Sequence, residues 1–143
     1  MNYDTIQLLG ECDAGIQMAI YAIDDVLPGT EDPHLRKTLH MSRSAHRDLR
    51  NETHDLLKTY RASGKNPNAM AKSMSWLKTN AKLTLKPGDP TVADLVVSGC
   101  NMGIKNLHKY QNQYAEANES SKKIADRLIG LEADLANSLD PYL

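Results

Sequence analysis

The chain has 143 residues, with 17 Lys and Arg against 18 Asp and Glu, a formal net charge of -1 and 41% hydrophobic residues. That balance excludes a bulk field that would draw in nucleic acid or an anionic membrane, and it is too apolar for intrinsic disorder. The length matches one domain with a self-sufficient core. The opening MNYDTIQLLGECDAG has no basic region followed by an unbroken apolar run, and IQMAIYAI falls far short of the about 20 apolar residues of a membrane span. Together with two cysteines, this gives the expectation of a soluble cytoplasmic protein with free thiols.

Phe is absent and Ala, Leu, Lys, Asp and Asn dominate, a composition that leans helical. The first predicted helix spans 3–27 and carries Leu9, Cys12, Ile16, Ala19, Ile23 and Val26 on one face. No Lys or Arg precedes His34, whereas Glu11, Asp13, Asp24 and Asp25 are acidic. Pro28-Gly29 breaks this helix, and Asp32-Pro33 opens the second, over 33–62, with Asp as N-cap and Pro as first helical residue. Its stripe is Leu35, Leu39, Ser42, His46, Leu49, Thr53, Leu56 and Tyr60, which puts an imidazole where a core leucine would sit. Its Arg36, Lys37, Arg43, Arg47 and Arg50 are placed to face the acidic first helix across an antiparallel hairpin. Such exposed pairs contribute about 0–1 kcal/mol each but favour that register. The basic run lacks interleaved aromatics, which argues against a nucleic-acid surface.

Asn66-Pro67 opens a shorter third helix over 67–83, with Met70, Met74, Leu77 and Ala81 on one face and Trp76 as the residue that pins it to the bundle. If loosely packed, this segment would instead be an apolar patch for self-association. The fourth helix, over 90–116, follows Asp89-Pro90 and offers Val92, Val96, Cys100, Gly103, Leu107, Tyr110 and Tyr114. The fifth, over 119–139, starts at Asn118 and offers Ile124, Leu128, Leu131, Leu135 and Leu139. Short turns make two antiparallel hairpins, with the third helix as their connection, and amphipathic helices of this kind bury their stripes as a bundle. Gly99 and Gly103 are expected to admit close approach of a neighbouring helix. No nucleophile elbow or phosphate-binding glycine loop is present.

The hairpins bring the middles of the long helices together. They predict a sparse polar layer of His46 and Cys12, with Cys100 as a further candidate and Glu11 and Glu132 at its edges. Hairpin, crossover and hairpin, with MSWLKTNAKL, ADLVVSGCNMGIKNLHKYQNQYAEA and LIGLEADLANSLDPYL, resemble the ferritin-like four-helix-bundle superfamily. The likeness is to a bacterial branch with a degenerate di-iron site. It implies an all-α, up-down four-helix bundle with a crossover helix between helices two and four. Members of that group use one Glu from each of two helices and a Glu-x-x-His from each of the other two. Here His46 matches the histidine of the first motif, but Arg43 stands at its glutamate. Glu132 matches the glutamate of the second, but Leu135 stands at its histidine. Helix four supplies Cys100 and Gly103, with no acidic residue between Cys100 and Glu116, and helix one supplies Glu11.

Those ligands are too few for a di-iron centre. The leading expectation is therefore a non-enzymatic structural or protein-interaction module that self-associates as a homo-oligomer, with no cofactor. The alternative is a metal-binding or redox protein, holding iron or zinc through Glu11, His46 and Glu132 with Cys12 and Cys100, since zinc favours nitrogen and sulfur donors. A third reading makes His46 a neutral imidazole bonded to Ser42, Thr53 or Tyr21. Burial would then depress its pKa, and acid would destabilise the fold. His34, His40, His54 and His108 fall off the stripes and are expected in solvent.

Overall fold

The structure, a computed structural model, describes residues 3–60, 62 and 86–143. Four α-helices account for most of them, with no strand among the described residues. They are α1 (Tyr3–Val26), α2 (Pro33–Thr59), α3 (Asp89–Gln113) and α4 (Glu119–Leu139), with 3-10 turns at Leu27–Gly29 and Asp140–Tyr142. The helix predicted over 67–83, with Met70, Met74, Trp76 and Leu77, lies outside the described residues.

Local chemistry sets the helix ends. The Asp32 carboxylate accepts from the Leu35 N–H at 2.9 Å and Pro33 follows in the first turn, as the Asx-Pro pattern predicts. Asn118 caps α4 the same way, accepting from the Ser121 N–H at 3.0 Å. Asp89 departs from the expectation. The cap of α3 is Gly88, at φ 132°, a left-handed conformation that favours glycine. The freed Asp89 carboxylate instead accepts from the Glu31 N–H at 2.8 Å and the Asp32 N–H at 3.0 Å.

Such long-range bonds fix the topology. At one pole the Glu116 N–H donates to Asp4 at 3.0 Å, the Asn118 N–H to the Thr5 hydroxyl at 2.9 Å, and the Asn118 side-chain amide to the Tyr60 hydroxyl. This pole therefore gathers the start of α1, the end of α2 and the α3–α4 turn. At the other pole Asp89 holds the α1–α2 turn, and the Tyr142 hydroxyl donates to Asp32 at 2.9 Å. It follows that α2 and α3 run in the same direction, at opposite corners, and that adjacent corners are antiparallel. Helix α1 packs against all three others, which explains its wide buried face, from Leu8 and Leu9 through Asp13 and Ile16 to Ile20 and Val26.

Acidic α1 does face basic α2, but Asp24, expected against Arg36 and Lys37, meets Arg43 instead. Arg43 pairs with Asp24 at 2.6 Å, while Arg36 donates to the Leu27 and Thr30 carbonyls at the turn. Asp13 reaches His54 at 2.6 Å. The Asp24–Arg43 and Asp13–His54 pairs are spaced identically along the two helices, so one antiparallel register satisfies both.

The core is two apolar clusters. One contains Leu8, Leu9, Ile16, Leu49, Leu57 and Leu128, and the other Ile23, Leu35, Leu39, Val96, Leu135 and Leu139. On α2 they are separated by His46 and on α4 by Glu132. A polar layer thus crosses the middle of the bundle, where the hairpin geometry places it. Cys12 does not share it and belongs to one apolar cluster, whereas Cys100 packs in the other and borders the layer at Glu132.

Replacing Asp89 with Ala removes an acceptor shared by two backbone N–H groups of the other hairpin, and should cost about 1–2 kcal/mol in urea unfolding. Asp89→Asn, which keeps one acceptor oxygen, should recover part of that loss.

Candidate functional site

His46 is fully buried on the apolar stripe of α2, between Leu39 and Leu49. Its Nδ1 lies 2.8 Å from the Ser42 carbonyl oxygen, one helical turn back, and 3.3 Å from the Ser42 hydroxyl. A carbonyl can only accept, so Nδ1 carries a proton. Its Nε2 lies 3.1 Å from Oε1 of Glu132, which is 7% exposed on α4.

One further proton lies between the imidazole and the carboxylate. Burial alone would pull the His46 pKa down. The hydrogen bond and negative charge of Glu132, with the Ser42 carbonyl, outweigh it and raise the value. The shift favours the protonated ring, with Glu132 as its hydrogen-bond acceptor. Ser42 is a partner as expected, but the expected downward shift is overturned, and neither Thr53, which bonds its own helix at the Leu49 carbonyl, nor Tyr21, which is exposed, joins it. The physical reason is Glu132. It was expected at the layer's edge with Leu131 inside, but the buried row runs Ile124, Leu128, Glu132, Leu135 and Leu139, with Leu131 half-buried. Either residue 131 or 132 satisfies helical periodicity between 128 and 135, and the imidazole opposite favours the carboxylate.

The Cys100 thiol on α3 hydrogen-bonds to the same carboxylate. Burial first, then the charge and hydrogen bond of Glu132, push its pKa upward. Cys12, fully buried on α1, is pushed up to about 12 by burial, with a further contribution from the Asp13 charge. Both thiols are therefore protonated at neutral pH and unactivated as nucleophiles. Glu11 is buried on α1. His46, Glu132 and Cys100 come together, then, while Cys12 belongs to the neighbouring apolar cluster. Among the described residues no group of three or more His, Cys, Asp or Glu side chains is gathered as a set of metal ligands.

A groove of about 120 Å³ leads to this layer between α1 and α3. Small residues line part of it, Ala14, Gly15, Ala19 and Ala22 on α1 and Gly99 and Gly103 on α3, beside the larger Met18, Ile23, Met102, Leu107 and Tyr110. Leu128, Glu132 and Leu135 contribute from α4. A Cβ added to Gly103 would meet only the Glu132 side chain, at 3.9 Å. At Gly103, then, α4 comes within ordinary contact range through the Glu132 carboxyl.

Sequence reasoning missed a second pair. Asp13 is fully buried, one oxygen 2.6 Å from His54 Nε2 and the other accepting from Gln17 at 2.8 Å. His54, expected in solvent, is only partly exposed. The signal was the breadth of the α1 face, since a helix touching three others buries residues beside its main stripe as well as on it.

No family model, curated protein or solved structure matches this chain.

Removing one partner strands the other as an unpaired buried group. Glu132→Ala and His46→Ala should each cost about 3–5 kcal/mol, whereas His46→Leu combined with Glu132→Leu should come within about 1 kcal/mol of the parent or exceed it. A double-mutant cycle in urea measures this coupling directly. The pH dependence has a defined sign. A folded-state pKa above the unfolded value of about 6.5 makes the pair's contribution complete below that pH, and it is lost as pH rises through the folded value. From pH 6 to 9 (a window set about that reference value), stability should fall relative to the double variant. A rise instead would place the proton on the wrong group.

Proposed function

We propose that this chain is a ferritin-like bundle in which a buried imidazolium–carboxylate pair stands where members of that group hold a metal centre. It acts as a non-catalytic structural or protein-interaction module that assembles with copies of itself. The observation that carries this reading is the engagement of both His46 ring nitrogens, Nδ1 at the Ser42 carbonyl and Nε2 at Glu132. The parallel course of α2 and α3 supports the ferritin-like part, since such bundles have one long crossover. Two further side chains support the loss of a dinuclear centre. Arg43, one turn before His46, is ion-paired to Asp24, and Leu135, one turn after Glu132, lies in the apolar core.

One observation favours the metal-binding alternative. An Nδ1–H bonded to a backbone carbonyl is the arrangement that orients a ligating histidine. Nε2 faces a carboxylate oxygen that also has Cys100 beside it, and Glu11 lines the same groove. In that reading His46 and Glu132 would hold a zinc or iron ion, with Cys100 and Glu11 as the further donors at hand.

Elemental analysis of protein purified without an affinity tag separates the two. The module reading expects less than stoichiometric metal, melting curves unmoved by added zinc, iron or manganese, and a light-scattering mass above that of the monomer. Stoichiometric metal, lost in His46→Ala, overturns it, because an ion bound only by the native state raises the midpoint.

A further inference from the structure

Small residues on two facing helices usually let the helices close on each other, yet here Gly15, Ala19, Gly99 and Gly103 border an open groove. Its volume, about 120 Å³, is near the about 150 Å³ of an apolar cavity that holds one benzene. The polar lining is one-sided. Glu11 and Glu132 bring two carboxylates, Asn106 and Tyr110 add an amide and a phenol, and no Lys, Arg or His is among the described lining residues.

Glu132 occupies this groove in a particular way. Its Oε1 is bound by His46. Its Oε2 is one of the two atoms nearest the point, 3.9 Å away, where a Gly103 side chain would begin. That second oxygen thus lies beside Gly103, and both residues line the groove. The remaining groove surface is aliphatic, including Ala22, Ile23, Val96 and Leu107. A carboxylate at the wall of an apolar cleft is complementary to an N–H cation carrying a compact apolar body, because low surrounding polarity strengthens a charge-assisted hydrogen bond.

We propose that the groove between α1 and α3 is a binding site for a small organic ammonium ion. Its N–H groups are directed at Glu132, and its ring or short alkyl body lies between the small residues of the two helices. The inference rests on the metal-free reading of the same site, since an ion bound by Glu132 would compete for the carboxylate.

Benzylammonium, benzyl alcohol and benzoate, which share one ring and differ in charge, test it on protein of measured metal content. Benzylammonium should shift the backbone amide signals of Gly99, Gly103 and Asn106 saturably and raise Tm. Benzyl alcohol should bind at least about tenfold more weakly, and benzoate should not bind. Glu132→Gln, checked for folding by its melt, should lose about tenfold or more in benzylammonium affinity. Gly103→Leu, which adds a side chain to the groove wall beside Glu132, should abolish binding. Equal affinity for the alcohol and the ammonium, no saturable shift, or full binding by Gly103→Leu each overturns the proposal. Stoichiometric metal in the same sample overturns the metal-free reading instead, so the two failures are told apart.

Discussion

One buried hydrogen bond, between His46 and Glu132, organises the middle of this bundle. Removing two ionisable groups from water costs several kcal/mol apiece, and mutual attraction recovers that only when geometry is good and the remaining polar atoms are satisfied. Here they are: Ser42 takes the second imidazole N–H, and Cys100 adds a thiol to the carboxylate. We infer that the net yield is specificity more than stability. Four amphipathic rods with leucine stripes could slide by a turn with little loss of apolar contact. A slide that parts His46 from Glu132 leaves both uncompensated, so the layer holds α2 and α4 in one register.

The poles do similar work with backbone groups. Each hairpin is local in sequence and could form by itself, but neither end of the bundle is closed by its own residues. Asp89 of the second hairpin accepts from the turn of the first, and Asp4 and Thr5 of the first accept from the turn of the second. Side-chain oxygens satisfy N–H groups that helix termini and turns otherwise leave to water. The central helix α1 joins this scheme at both levels, touching the other three helices along its length and the opposite turn at its start.

Much of this was readable from residue order. Four of the helices follow from breakers and Asx-Pro starts to within a few residues, because capping is a local interaction that sequence displays directly. His46 is legible as a core position, since the stripe from Leu35 to Thr53 leaves it nowhere else to face. Its charge is not legible, because that depends on the residue across the interface. Leu131 and Glu132 both fit the periodicity of α4, and hydropathy favours the wrong one. Asp13 and His54 were lost for a related reason: the breadth of a buried face reflects how many helices surround it, which is a property of the assembled bundle. The Asp89 carboxylate was read as a cap when its partners are fifty-eight and fifty-seven residues away.

The seclusion of the two cysteines bears on what their presence means. Each is packed in a different apolar cluster, on either side of the polar layer, and each keeps its proton. Oxidants act on exposed thiolates, and a cross-link needs two sulfurs brought face to face. This fold supplies neither at Cys12 or Cys100, so neither thiol is a ready site of oxidation or cross-linking. Its cysteine content carries no information about the compartment in which it works.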